Sequence, residues 1–112
     1  MADIKLYEIL VPTVRNNGNP IKTKFHKVWD SKVYAITHGL TILAPTKGKW
    51  VSPSGTLFAE RMIPVRIACT REQIEEIIKM TIKYYEQEAI MAYCISNEVI
   101  IKYANDDVWK GE

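Results

Sequence analysis

The chain has 112 residues, 47% hydrophobic and 25% charged, which suits one globular core and excludes a disordered or fibrous polymer. Its 15 basic against 13 acidic residues leave a net charge of +2, too small for a nucleic-acid-binding face. No apolar run approaches the about 20 residues of a membrane helix, and Lys5 and Glu8 break the N-terminal apolar run, so no export signal is read and a cytoplasmic location is expected.

Residues 5–14 carry the first predicted strand. Tyr7, Ile9 and Val11 share one face, while Leu6, Glu8 and Leu10 share the other. Apolar residues on both faces predict a central strand. Asn16-Asn17-Gly18-Asn19-Pro20 forms a loop. Thr23 is placed to N-cap a helix reaching about Thr37, with Phe25, Val28, Trp29, Val33 and Ile36 as its apolar stripe and Gly39 closing it. A short strand at 40–44, a turn at Thr46-Lys47-Gly48-Lys49 and a resumption at Trp50-Val51 follow. Ser52-Pro53-Ser54-Gly55 is a second turn signal. The strand predicted over 56–68 turns Leu57, Ala59, Arg61, Ile63, Val65 and Ile67 inward. Pro64 cannot donate to a ladder, which predicts a bulge or an open edge there.

Thr70-Arg71-Glu72-Gln73 is a capping box. It opens a helix whose stripe is Ile74, Ile77, Ile78, Thr81 and Tyr85. A core strand at 88–96 comes next, and Ser96-Asn97 turns the chain into a short strand at 99–103. From about 104 the tail is polar apart from Trp109. The order strand, helix, hairpin, helix, strand over one domain, residues 1–112, predicts a ferredoxin-like βαββαβ fold of the α+β class. Its antiparallel sheet has both helices on one face. Leu6, Leu10, Met62, Met91 and Tyr93 would then lie bare on the other face, which predicts a homo-oligomer, most simply a dimer, with a trimer also open.

Leu6-Tyr7, Trp29, Gly39-Leu40-Thr41, Gly48-Lys49-Trp50, Gly55, Glu60-Arg61 and Tyr85-Glu86-Gln87-Glu88-Ala89, in this order and spacing, resemble the bacterial DUF3574 family. That resemblance spans residues 5–95 and implies no known activity. In length and element order the chain is also similar to PII-type regulators and copper-tolerance proteins, although no nucleotide-binding motif of theirs is visible.

No phosphate-cradling glycine pattern is present, and His26 and His38 fall at opposite ends of one helix, so neither a cofactor nor a metal site is expected. Cys69 and Cys94 read as buried free thiols, and Cys69 also precedes a helix N-terminus, where a thiol pKa can fall. The most informative polar set is Glu60 and Arg61 with Glu86, Gln87 and Glu88. Glu60 could pair with Arg66, or Arg61 with Glu88, as structural ion pairs. Alternatively they form a carboxylate–arginine site beside Trp50 and Tyr7 for a small anionic or aromatic ligand. The candidate binding residues are therefore Tyr7, Trp50, Glu60, Arg61, Arg66 and Glu88, and no catalytic residue is assigned. The sequence favours non-catalytic binding of a small molecule or protein partner on the open sheet face. Two alternatives stay open: a small enzyme of the dimeric α+β barrel type using Glu60, Arg61 and His38, or a phage or mobile-element accessory or inhibitor protein.

Overall fold

Apolar side chains on both faces put the first strand, β1 (Lys5–Pro12), in the interior of an antiparallel sheet. The computed structural model describes residues 3–104. After β1 come α1 (Thr23–Thr37), β2 (Thr41–Ile42), β3 (Thr46–Val51), β4 (Leu57–Cys69), α2 (Arg71–Tyr85) and β5 (Ala92–Ser96). The sheet order is β2-β4-β1-β5, and β3 also pairs with β4. This is the predicted ferredoxin-like arrangement, with β2 and β3 serving as one interrupted strand.

One face of the sheet builds the core. Tyr7, Ile9 and Val11 of β1 and Val65, Ile67 and Cys69 of β4 pack against Trp29 and Val33 of α1 and Ile74, Ile77 and Tyr85 of α2. Each fully buried Ile or Val contributes about 1.5–3 kcal/mol of transfer free energy. The helices are also tied by a buried polar contact, because Trp29 Nε1 donates to Thr81 Oγ1 at 2.9 Å and that hydroxyl donates to the Ile77 carbonyl. Thr70 and Gln73 form the capping box of α2 as expected.

Several local expectations are corrected. Lys22, not Thr23, is the N-cap of α1, and it makes no side-chain cap bond. The helix closes on His38 in the left-handed region (φ 64°), whose N–H reaches the Tyr34 carbonyl, so Gly39 is not the closing residue. Val28 leaves the apolar stripe and is exposed. The turn expected at 46–49 is strand, because β4 is long enough to pair with β2 and β3 in succession. Gly48 therefore does not turn the chain. It faces Met62, whose Cε fills the place a Cβ would take.

Between Ile42, opposite Val65, and Thr46, opposite Met62, β2–β3 advances four residues against three on β4. Pro64 sits opposite this step, but the extra residue lies on the β2–β3 side and β4 runs unbroken, so the bulge expected on the Pro64 strand falls on its partner instead. Beyond it, β3 and β4 continue as an arm past the helices. Leu57, Ala59 and Arg61 are consequently exposed rather than inward. The arm turns at Ser52–Gly55, where Gly55 has φ +87° and the Thr56 N–H reaches the Ser52 hydroxyl. At the other end of the chain the last strand is shorter than expected, Ala92–Ser96, and 99–103 belongs to no strand. Trp109 lies outside the described residues.

Candidate functional site

Strand pairing alone assembles a polar centre on the open face. Glu8 of β1 stands opposite Arg66 of β4 on one side and Tyr93 of β5 on the other, so all three side chains share that face. Arg66 Nε donates to Glu8 Oε1 at 3.0 Å, and the Tyr93 hydroxyl donates to Glu8 Oε2. Glu8 is only 8% exposed. Donating this bond raises the Tyr93 pKa, chiefly because the bond favours the protonated phenol. Around the centre lie Leu6, Leu10, Met91 and Ile95, with Met91, Tyr93 and Ile95 more than 40% exposed. Such a face, apolar with a satisfied polar centre, is suited to being covered.

At the base of the arm the same face deepens into a groove. Trp50↔Phe58, Gly48↔Glu60 and Thr46↔Met62 are register partners, so Trp50, Phe58, Glu60 and Met62 all point the same way as Arg66. Trp50 and Phe58 stack with ring centroids 4.5 Å apart and planes 14° from parallel. The segment 87–91 forms the opposite bank, held where the Leu10 N–H donates to the Met91 carbonyl at 3.0 Å. An inner lobe of about 140 Å³ lies over Leu10, Pro12 and Met62. An outer lobe of about 530 Å³ extends to Ser52, Ser54, Thr56 and Asn16, and Trp50, Glu60, Gln87 and Ala89 line both. The outer lobe is within the usual size range of about 300–1,000 Å³ for small-molecule sites. Glu60 has no ion-pair partner among the described residues. Chemically, the groove offers an aromatic stack, one carboxylate, an amide from Gln87 and a hydroxyl cluster at its outer end.

The sequence-predicted residues are thus divided. Trp50, Glu60 and Glu88 border the groove. Tyr7 does not, because it faces the helices at 6% exposure in the core. Arg66 shares the face of Glu60 but sits six residues along β4, about 20 Å away at strand rise, and it binds Glu8 instead. Arg61 alternates to the opposite side of the arm, so neither expected pairing forms. His38 caps α1 and packs edge-on against Tyr34, away from the groove. Sequence reading did not place Glu8 or Tyr93 in a polar site, although Glu8 carried a signal as the lone charge inside an apolar central strand. Gln87, named in the polar set but not among the binding residues, joins the groove.

The cysteines are corrected in one respect, since Cys69 is buried but Cys94 is exposed. Burial pushes the Cys69 thiol up to about 11. Among the described residues there is no group of three His, Cys, Asp or Glu able to hold a metal. Nor is any of their helices long and apolar enough to cross a membrane.

Compared with known proteins, the chain matches no family model and no curated protein, so the DUF3574 resemblance rests on its motifs alone. Solved structures match the fold. The periplasmic divalent cation tolerance protein CutA from Archaeoglobus fulgidus superposes with a TM-score of 0.62 at 12% identity, over 88% of each chain. The divalent cation tolerance protein from Thermus thermophilus does so with 0.62 at 6% identity, over 95% of this chain and 93% of its own. A phage SAM lyase in complex with S-methyl-5'-thioadenosine gives 0.62 at 12% identity, over 96% of this chain and 95% of its own. The likeness to copper-tolerance proteins therefore holds for the fold.

Proposed function

We propose that this chain is a cytosolic homo-oligomeric domain that binds a small nucleoside-type ligand in the groove at the base of the arm. The observation that carries the reading is the stacked Trp50–Phe58 pair beside the Glu60 carboxylate, in a groove of ligand size. A flat heteroaromatic base suits the outer ring face of such a pair, and a carboxylate suits ribose hydroxyls or a positive centre. The phage neighbour was solved with a thioadenosine, which agrees with this choice of class. The motifs Gly48-Lys49-Trp50 and Glu60-Arg61, which resemble DUF3574, fall on the arm, and all of their residues but Arg61 line the groove. Self-association uses the open face, since the apolar side chains around Glu8 adjoin the groove and would bring a second copy alongside it. Covering them removes Met91, Tyr93 and Ile95 from water.

Calorimetric titration with S-methyl-5'-thioadenosine tests the ligand. Binding in the micromolar range is expected, and Trp50→Ala should weaken it roughly five- to hundredfold, since a stacked base contributes about 1–3 kcal/mol. Equal affinity in wild type and Trp50→Ala would remove the groove from consideration. Light scattering tests assembly, with a mass of at least twice 12.9 kDa expected.

A second reading makes the groove a lyase for S-adenosylmethionine, favoured by Glu60, whose carboxylate could hold a sulfonium over the Trp50 face. Breaking the bond from sulfur to the four-carbon chain sends the electron pair to sulfur and releases the neutral thioether. The substrate's own carboxylate takes the vacated carbon, so no co-reactant is needed. Release of S-methyl-5'-thioadenosine by wild type and its loss in Glu60→Gln would select this reading. No release by either would leave binding alone.

A further inference from the structure

We infer that the inner lobe seats a short apolar substituent on the 5' carbon of the bound nucleoside, and that Gly48 and Met62 set its length. This deepens, and rests on, the ligand reading above. Trp50 and Glu60 line both lobes, so a base stacked in the outer lobe brings its sugar to Glu60, where the inner lobe begins. Beyond that point the lining turns apolar, with Leu10, Pro12, Met62, Ile90 and Met91 around about 140 Å³. Of the described residues only Lys49 is basic at this lobe, and strand alternation turns its side chain to the far face of the arm. An apolar cavity of about 150 Å³ holds a benzene ring, so the lobe suits a chain of a few carbons. A 5'-phosphate would instead meet the Glu60 carboxylate and apolar carbon.

One close contact sets the floor of the lobe. Met62 stands opposite Pro12 of β1 and Thr46 of β3, and its side chain runs over Gly48 with Cε in the place of a Cβ. A glycine inside a strand weakens it and marks a close approach. Here the missing Cβ lets the thioether lie down on the sheet, where Met62 is only 8% exposed, and keeps the space above it open. The next atom near that Cβ position is Met62 Sδ at 3.8 Å, so a methyl at residue 48 meets only the flexible end of one side chain. An unbranched methionine swings aside at little cost, and the space on its open side is the lobe. Gly48→Ala should therefore fill the lobe from below with β3 intact, whereas Met62→Ala should deepen it. The two substitutions act on ligand length in opposite directions.

Calorimetric titration of the full chain with S-methyl-, S-propyl- and S-hexyl-5'-thioadenosine tests this. In the wild type, propyl should bind up to roughly fifteenfold tighter than methyl, at about fourfold per buried methylene, and hexyl no tighter than propyl. In Gly48→Ala the propyl compound should lose its advantage over methyl. In Met62→Ala the hexyl compound should gain one over propyl. Methyl-labelled methionine follows the floor itself in the wild type. The Met62 methyl resonance should move more with the propyl than with the methyl compound, while that of Met80, packed against the helical core, stays in place. One length profile shared by all three proteins, a wild type that gains nothing from propyl, or a Met62 methyl unmoved by it would overturn the assignment and leave the groove reading standing. No binding of any of the three compounds to the wild type would overturn both.

Discussion

Arg66→Met is the sharpest perturbation of the open-face centre. It keeps an apolar stem but removes the guanidinium that Glu8 uses at 3.0 Å, leaving a carboxylate with a side-chain exposure of 10% and only the Tyr93 hydroxyl as partner. Stripping the partner from a fully enclosed charge costs about 3–5 kcal/mol. Arg66, however, is 45% exposed, so water already screens that side of the pair and replaces part of the lost interaction. The expected loss is therefore about 1–2 kcal/mol, the scale of one hydrogen bond to a charged group. Glu8→Leu with Tyr93→Phe removes the carboxylate and its donor together, frees Arg66 to reach solvent, and should stay within about 1 kcal/mol of wild type. Urea unfolding at pH 7 and one fixed protein concentration reads both, since assembly makes midpoints concentration-dependent. An unchanged midpoint in Arg66→Met, or a larger loss in the double variant than in Arg66→Met, would refute the reasoning.

Thr81→Val removes the acceptor of the buried Trp29 N–H and should cost about 1–3 kcal/mol by urea midpoint. The Cys69 thiol, ordinarily near 9.0, is held protonated by burial to about 11. The native state therefore keeps a proton that the unfolded chain loses, and stability should fall between about pH 9 and 11 by at most about 1.4 kcal/mol per pH unit from this group. Cys69→Ala should flatten that fall in the lower part of the window, before the tyrosines titrate. On the acid side, burial lowers His26 from its ordinary 6.5, with Asp30 opposing and Arg15 adding. The unfolded chain then binds the proton first, so stability present above pH 6.5 is lost as pH falls below it, and His26→Gln should lessen this loss in a pH series of urea midpoints.

Much of this fold was legible in local chemistry. The 3.6-residue stripes of the helices and the capping box at Thr70 place α1 and α2, and Pro64 marks where the partner of β4 is interrupted, although the extra residue lies on that partner. What stayed hidden depends on partners distant in sequence. Gly48 has the composition of a turn, but it lies in a strand because β4 reaches that far and Met62 needs the space. Arg66, read as a partner for Glu60, and Tyr7, read as an aromatic beside Trp50, belong to one predicted site, whereas strand alternation sends Tyr7 to the core and Arg66 to the open face. That Trp50 and Glu60 lie near each other was legible for a simpler reason, since they are an aromatic and a carboxylate on one hairpin, and both line the groove. Gln87 joins them only through the packing of 87–91 beside β1.

The most direct test of the central claim is an amide and indole correlation spectrum of the protein titrated with S-methyl-5'-thioadenosine. The groove predicts shifts at the Trp50 indole, Gly48, Glu60, Gln87 and Ala89, with the helix-facing residues Tyr7, Val33 and Ile77 unmoved. Shifts confined to the helical layer, or none at millimolar ligand, would contradict it.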